Sequence, residues 1–442
     1  MTPALRIACR LRPLALGLLV LAALMLRPAA ATEVQRVVSP GGIEAWLVEE
    51  HAVPVIAMDF GFAGGSAQDP EGKTGLANLL SGLLDEGAGD LDSATFQKAL
   101  EDNSISMSFS AGRDVFYGSL KTLTANRDEA FRLLTLAVNE PRFDAEPIER
   151  MRAQIVAGIK ANEKDPEELA FDLWYEAAFP DHPYGWRKEG SEASLAAVTA
   201  ADLAGLRDRM FARRDLKVAV VGDIDAKTLA PLLDEVFGRL PADPDLVAVP
   251  EITPKAGARV ESEIANPQTV IRFGGVGIKR DDPDFIPAYI ANHILGGGSF
   301  SSRLYDEVRE KRGLAYSVYT FLAPYDHAGA FVGGVATRSD RAGEAMQLIE
   351  SELKRFAAEG PTEKELAEAK SFLVGSFALR FDTSQKISAQ LLAFNLDNLG
   401  IDYINKRNAL IEAVTIEDVK RAAKRVFGSG GLIVATVGPL AS

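Results

Sequence analysis

The chain has 442 residues, 25% of them charged, and carries a formal net charge of −14 with four histidines and one cysteine. That acidic balance argues against nucleic acid or an anionic membrane as a partner, and a single cysteine excludes a disulfide-stapled scaffold. The length suits two or three domains with cores of their own.

Residues 1–31 read as a secretory signal peptide. Arg6, Arg10 and Arg12 form its basic region, Leu14 to Leu26 its apolar region, and Ala29-Ala30-Ala31 its cleavage site. The apolar run is shorter than the about 20 residues a membrane span needs. Cleavage removes Cys9 and four arginines (Arg6, Arg10, Arg12, Arg27), taking the formal charge from −14 to −18. The expected location is the periplasm, with no membrane association once the leader is gone.

Further along, Glu44–Glu50 and Val55–Phe62 read as a hairpin joined through His51-Ala52-Val53-Pro54. From Thr74 to Gly87, Leu76, Leu79, Leu80, Leu83 and Leu84 share one apolar helix face, with Thr74 as N-cap and Gly87 as C′ residue. The opposite face holds Asn78, Ser81, Gly82 and Asp85. Just upstream, residues 67–74 nearly match a phosphate-binding loop, but Asp69 and Glu71 put negative charge where phosphates would sit. Helices are expected at Ser93–Asn103, Arg127–Asn139, Glu146–Glu163 and Glu167–Phe179, and a turn at Asp181-His182-Pro183-Tyr184-Gly185. In the second half they are expected at Asp284–Leu295, Ser302–Lys311, Ala342–Ala358, Glu363–Ser376, Ser384–Asn398 and Ile401–Ala413. No two of His51, His182, His293 and His327 are close enough in sequence to form a metal-binding pair.

The chain is written twice. VTAADLAGLRDRMFARRDLKVAVVGDI, from Val198, aligns without gaps on VTIEDVKRAAKRVFGSGGLIVATVGPL, from Val414. A Thr-capped helix (Thr199, Thr415) followed by a buried strand (Leu216–Val221, Leu432–Val437) ends each half. Two homologous α+β domains are expected, residues 32–237 and 258–442, each an antiparallel sheet flanked by helices. Between them the proline-rich residues 238–257 form the linker. In the second domain, Gly296-Gly297-Gly298-Ser299-Phe300 is a candidate ligand-contacting loop. Arg309, in the last turn of a helix, and Tyr316, opening a strand beyond Gly313, can converge to hold a peptide carbonyl.

Taken together, GGSAQDPEGKTGLANLLSGLLDEGAG, DHPYG, VVGDI, NHILGGGSFSSRL and REKRGLAYSVY resemble the pitrilysin/insulinase-type (M16) metallopeptidases in their short, processing-peptidase-like branch. The resemblance runs from about Glu33 to the end and implies two α+β domains forming one half of a clamshell. It also marks a departure. The family's His-x-x-Glu-His motif falls on Asn78, Ser81 and Gly82, and its third ligand, a glutamate, falls near Ala157-Gly158. No zinc ligand and no general base is left, so no metal and no catalytic residue is expected in this chain. Arg309 and Tyr316 match the family's arginine–tyrosine pair, which holds substrate beside zinc in the opposite half. The resemblance therefore implies a substrate-binding, zinc-less subunit, its zinc-bearing M16-like partner and a peptide substrate. The alternative is a peptidase-derived scaffold protein without a proteolytic role.

Overall fold

The computed structural model describes residues 33–439, so the expected leader lies outside the described residues. Two sheets organise these residues. The first contains β1 (Gln35–Val38), β2 (Glu44–Glu49), β3 (Val55–Ala63), β4 (Ser106–Ala111), β5 (Val115–Leu123) and β6 (Lys217–Gly222), in the order β1-β2-β6-β3-β5-β4. The second contains β7 (Arg259–Ser262), β8 (Gln268–Val276), β9 (Ala315–Pro324), β10 (Gly329–Arg338) and β11 (Ile433–Val437), in the order β7-β11-β8-β10-β9. Apart from β1 the orders correspond strand for strand. In both, the pair at the start of the series is parallel, β2 with β6 and β7 with β11. Helices flank both sheets, as the α+β expectation requires.

The repeat is visible down to single residues. Thr199 and Thr415 each cap a helix in a reciprocal box with the aspartate three residues on, Asp202 and Asp418. Gly222 and Gly438, at φ 141° and 142°, end β6 and β11 where a Cβ would run into the neighbouring strand's backbone.

Several expectations need correction. The hairpin of residues 44–50 and 55–62 does not form, because β6 inserts between β2 and β3 and pairs β2 in parallel. The connecting HAVP lacks the glycine-type chemistry of a tight hairpin turn, and β6, apolar and buried along nearly all its length, is built for a central position. The helix expected over residues 74–86 spans only Leu76–Ser81. Gly82 takes its C-cap, and Leu83 and Leu84 stay buried in the turns that follow. Thr74 is not the N-cap, since its hydroxyl bonds Ser194 Oγ at 3.1 Å. The helix over residues 302–311 is largely a π-helical turn, Tyr305–Glu310, and Phe285–Asn292 continues as a second one, His293–Gly297. The other expected helices form where the spacing places them.

The two halves exchange helices. Pro166–Ala178, from the first half, lies on β8 and β11, while Ser384–Leu396, from the second, lies on β3 and β6. Trp174 is fully buried against Val332, Ile433 and Ala435, and at Gly274 a Cβ would stand 2.8 Å from its ring. Buried Asp59 on β3 accepts from Gln385 Nε2 at 3.0 and 3.1 Å and from the Ser388 hydroxyl. Arg272 on β8 donates to Glu167 at 2.7 Å. The proline-rich linker is strapped down. Gln68 bonds both the N–H and the C=O of Val247, and Pro250 O accepts from His182 Nε2 at 3.0 Å. Among the described residues, no helix is long and apolar enough to cross a membrane.

Candidate functional site

The helix carrying the degenerate motif is organised by a distant acid. Asp69 accepts from Gly75 N at 2.7 Å and Ala77 N at 2.8 Å, so an internal carboxylate fills the anion position at the helix start. Burial pushes its carboxyl up to about 7, against backbone N–H groups that pull it down. Lys73 pairs with Asp202 at 2.6 Å. Neither the helix start nor the lysine is left for a phosphate, which agrees with the charge-based reading of residues 67–74.

On the motif face, Ser81 turns its hydroxyl back onto Asn78 O at 2.8 Å. At Gly82 a Cβ would stand 2.8 Å from Met151 Sδ, so a thioether from the Ala145–Asn162 helix occupies the space a side chain at 82 would need. Ala157 and Gly158, on that same helix, are exposed. Among the described residues no group of three or more His, Cys, Asp or Glu is placed to hold a metal. An amide, a hydroxyl and a glycine beneath a thioether do not match zinc's usual Cys, His and carboxylate ligands, so the residues here do not fit that metal.

The second half brings its candidates together. The Arg309 guanidinium carbon lies 4.7 Å from the Tyr305 ring centre, 4.9 Å from that of Tyr316 and 6.0 Å from that of Phe300. Phe300 and Tyr305 meet edge to face at 5.0 Å. Nearby Glu307 serves Lys311, at 2.8 Å, and Arg312, at 2.5 Å. Among the described residues Arg309 has only Glu310, at 3.9 Å, beyond hydrogen-bond length. Tyr316 and Phe300 are 80% and 76% exposed. A guanidinium with free donors is thus held in an aromatic frame beside a solvent-facing phenol. Gly313, at φ 60°, lets the chain turn from the π-helical Tyr305–Glu310 into β9.

The glycine run is positioned rather than loose. A Cβ at Gly296 would lie 2.5 Å from Thr320 Oγ1, and one at Gly297 would lie 2.7 Å from Asn292 Nδ2. The run packs on β9, and Ser299 and Phe300 project from it. Sequence reasoning missed Tyr305, the floor of the cluster. Its place four residues before Arg309, on one helical face, is the signal that could have found it.

Histidines 51, 182, 293 and 327 do not come together as a site. His51 bonds Asp223 at 2.7 Å, and His327 bonds Glu251 at 3.2 Å. His182 serves the linker, as described above. His293 stacks on Phe372 at 5.1 Å, where burial pushes its pKa down.

Residues 49–189 match the family model described as insulinase (peptidase family M16), and residues 197–373 match the peptidase M16 inactive domain. A solved structure, described as the peptidase M16 inactive domain from Pseudomonas fluorescens, is 30% identical. It superposes with a TM-score of 0.87 over 93% of this chain and 98% of that one. The non-peptidase homolog YmxG of Helicobacter pylori is 27% identical, over 80% of this chain and 81% of its own. A Mycobacterium tuberculosis relative named as an uncharacterized zinc protease is 28% identical, over 90% of this chain and 92% of its own. The chain belongs to the M16 peptidase family.

Proposed function

We propose that this non-catalytic M16-like protein is the substrate-binding subunit of a periplasmic, heterodimeric zinc peptidase. A zinc-bearing M16-like partner supplies the metal and the general base. This chain completes the partner's pocket with Arg309, Tyr316 and the Gly296–Phe300 segment. The observation that carries the reading is the contrast between the halves. Asn78, Ser81 and Gly82 offer no zinc ligand, while Arg309 and Tyr316 converge with their polar ends unpaired by any carboxylate of the described residues within hydrogen-bond length.

Arg309 presents N–H donors to a peptide carbonyl, and the Tyr316 hydroxyl can donate to the oxygen that gains charge as the carbonyl is attacked. β4 and β9 are edge strands. Along β9, Asn292 Nδ2 already bonds Thr320 O at 3.2 Å, so β4 offers the more open edge for an extended peptide.

The test is to purify the exported chain with its co-purifying partner and measure cleavage of a quenched peptide library. Arg309→Ala and Tyr316→Phe should each lower kcat/KM of the pair about 10²–10³-fold, with assembly intact by size exclusion. Unchanged turnover in both variants would favour a scaffold role instead.

A further inference from the structure

A cavity of about 440 Å³ lies behind the glycine run, between β9 and the helices Phe285–Asn292, Ser384–Leu396 and Tyr403–Ala413. Its charged lining is Arg280, Arg380, Arg407 and Asp397. That is a net +2 in a chain whose formal charge is −14.

Arg280 is already neutralised by Asp397 at 2.9 Å. Arg407 is not. It is 6% exposed, stacks over the Phe377 ring at 4.3 Å, and donates through Nη1 to Leu373 O and Asn408 Oδ1 at 3.1 and 3.2 Å. No carboxylate among the described residues pairs with it, yet an unpaired buried charge is strongly disfavoured. Burial pushes Arg407's pKa down, helped by the like charge of Arg380 and opposed by the neighbouring phenols of Tyr289 and Tyr403. The uncharged walls are mixed, with Phe285, Phe321, Phe394 and Ile411 forming the apolar part and Tyr289, Gln390 and Tyr403 adding polar tips. Two more lining residues, Asn292 and Thr320, hold buried polar atoms (Oδ1 and Oγ1) with no hydrogen-bond partner.

We propose that this cavity binds a small organic anion with an apolar body, of the class of a medium-chain aliphatic carboxylate, its carboxylate held between Arg407 and Arg380. Charge and hydrophobicity are arranged for this. The guanidinium groups supply fork-shaped donors that match a carboxylate, and a cavity of this size with aromatic walls covers a chain of several methylenes. The inference stands apart from the subunit reading, because none of its anchoring residues belongs to the Arg309–Tyr316 cluster.

The test is calorimetric titration of the full exported chain with octanoate, with 1-octanol and with inorganic phosphate. Octanoate should bind saturably at one site, and octanol and phosphate at least about 10-fold more weakly. Arg407→Met should weaken octanoate binding at least about 10-fold. Arg380→Ala, on an exposed turn and so safe for folding, should weaken it in the same direction. Octanol or phosphate binding as tightly as octanoate would overturn the proposal. So would octanoate binding unchanged in Arg380→Ala, or an absence of saturable octanoate binding.

Discussion

The Asp69 carboxylate faces the positive end of a helix and is nevertheless buried, and burial prevails. In the folded chain it keeps its proton up to about 7, whereas an unfolded aspartate loses it near pH 4. The native state therefore binds the extra proton between pH 4 and 7, and stability falls as pH rises through that window. Asp69→Asn should remove roughly 2–4 kcal/mol of this pH dependence, read from urea unfolding of both proteins at pH 5 and pH 8. Parallel pH profiles would contradict the assignment. Gly82 and Met151 form a second residue-scale pair. Gly82→His should destabilise by about 1–3 kcal/mol. Met151→Ala in the same chain should recover part of that loss, with a coupling above about 0.5 kcal/mol. Strictly additive effects would mean that the two residues do not compete for one space.

At the scale of elements, the glycine run and the π-helical turns set the Arg309 cluster. Gly296 lets residues 293–297 lie on β9. Gly296→Ala should therefore cost about 1–3 kcal/mol by forcing Thr320 aside. A change below about 0.5 kcal/mol in chemical denaturation would show that the segment can move away. This is also the scale at which sequence and structure part company. The Thr199 and Thr415 caps, the strands after them and most helix positions were legible, because caps and apolar spacing are local signals. The insertion of β6 between β2 and β3 was not legible. That pairing joins residues far apart in the chain, and local turn chemistry does not encode it. Met151 above Gly82 escaped notice for the same reason, whereas Asp69, only six residues before Gly75, did so because Thr74 carries the more usual N-cap signal. The Arg309–Tyr316 convergence was readable because Gly313 sits between them, whereas Arg407 and Arg380 are brought beside Arg280 only by tertiary packing.

For the molecule as a whole, the exchange of helices makes the two repeats mechanically one body. Each half lays a helix on the other's sheet, Trp174 is fully buried across one junction, and Asp59 is bonded across the other. Burial pushes the Asp59 carboxyl up, and hydrogen bonds from Ser388, Ser119 and Gln385 draw it down. Trp174→Ala should cost about 3–5 kcal/mol and lower one shared calorimetric transition; two separate transitions would contradict the interlock. Proteolytic nicking within residues 238–257 should likewise leave both fragments together by size exclusion, since the exchanged helices that join the halves lie outside it.

A framework of this kind, with a motif helix that offers no zinc ligand and an arginine–tyrosine cluster facing solvent, underlies the proposal that this chain assists chemistry performed by another. The most direct measurement is peptide cleavage by the isolated chain, supplied with excess zinc, beside the same chain combined with the zinc-bearing partner proposed above. Turnover should stay at background for the chain alone and appear only in the combination. Zinc-dependent cleavage by the isolated chain, at a rate comparable to the pair, would contradict the account.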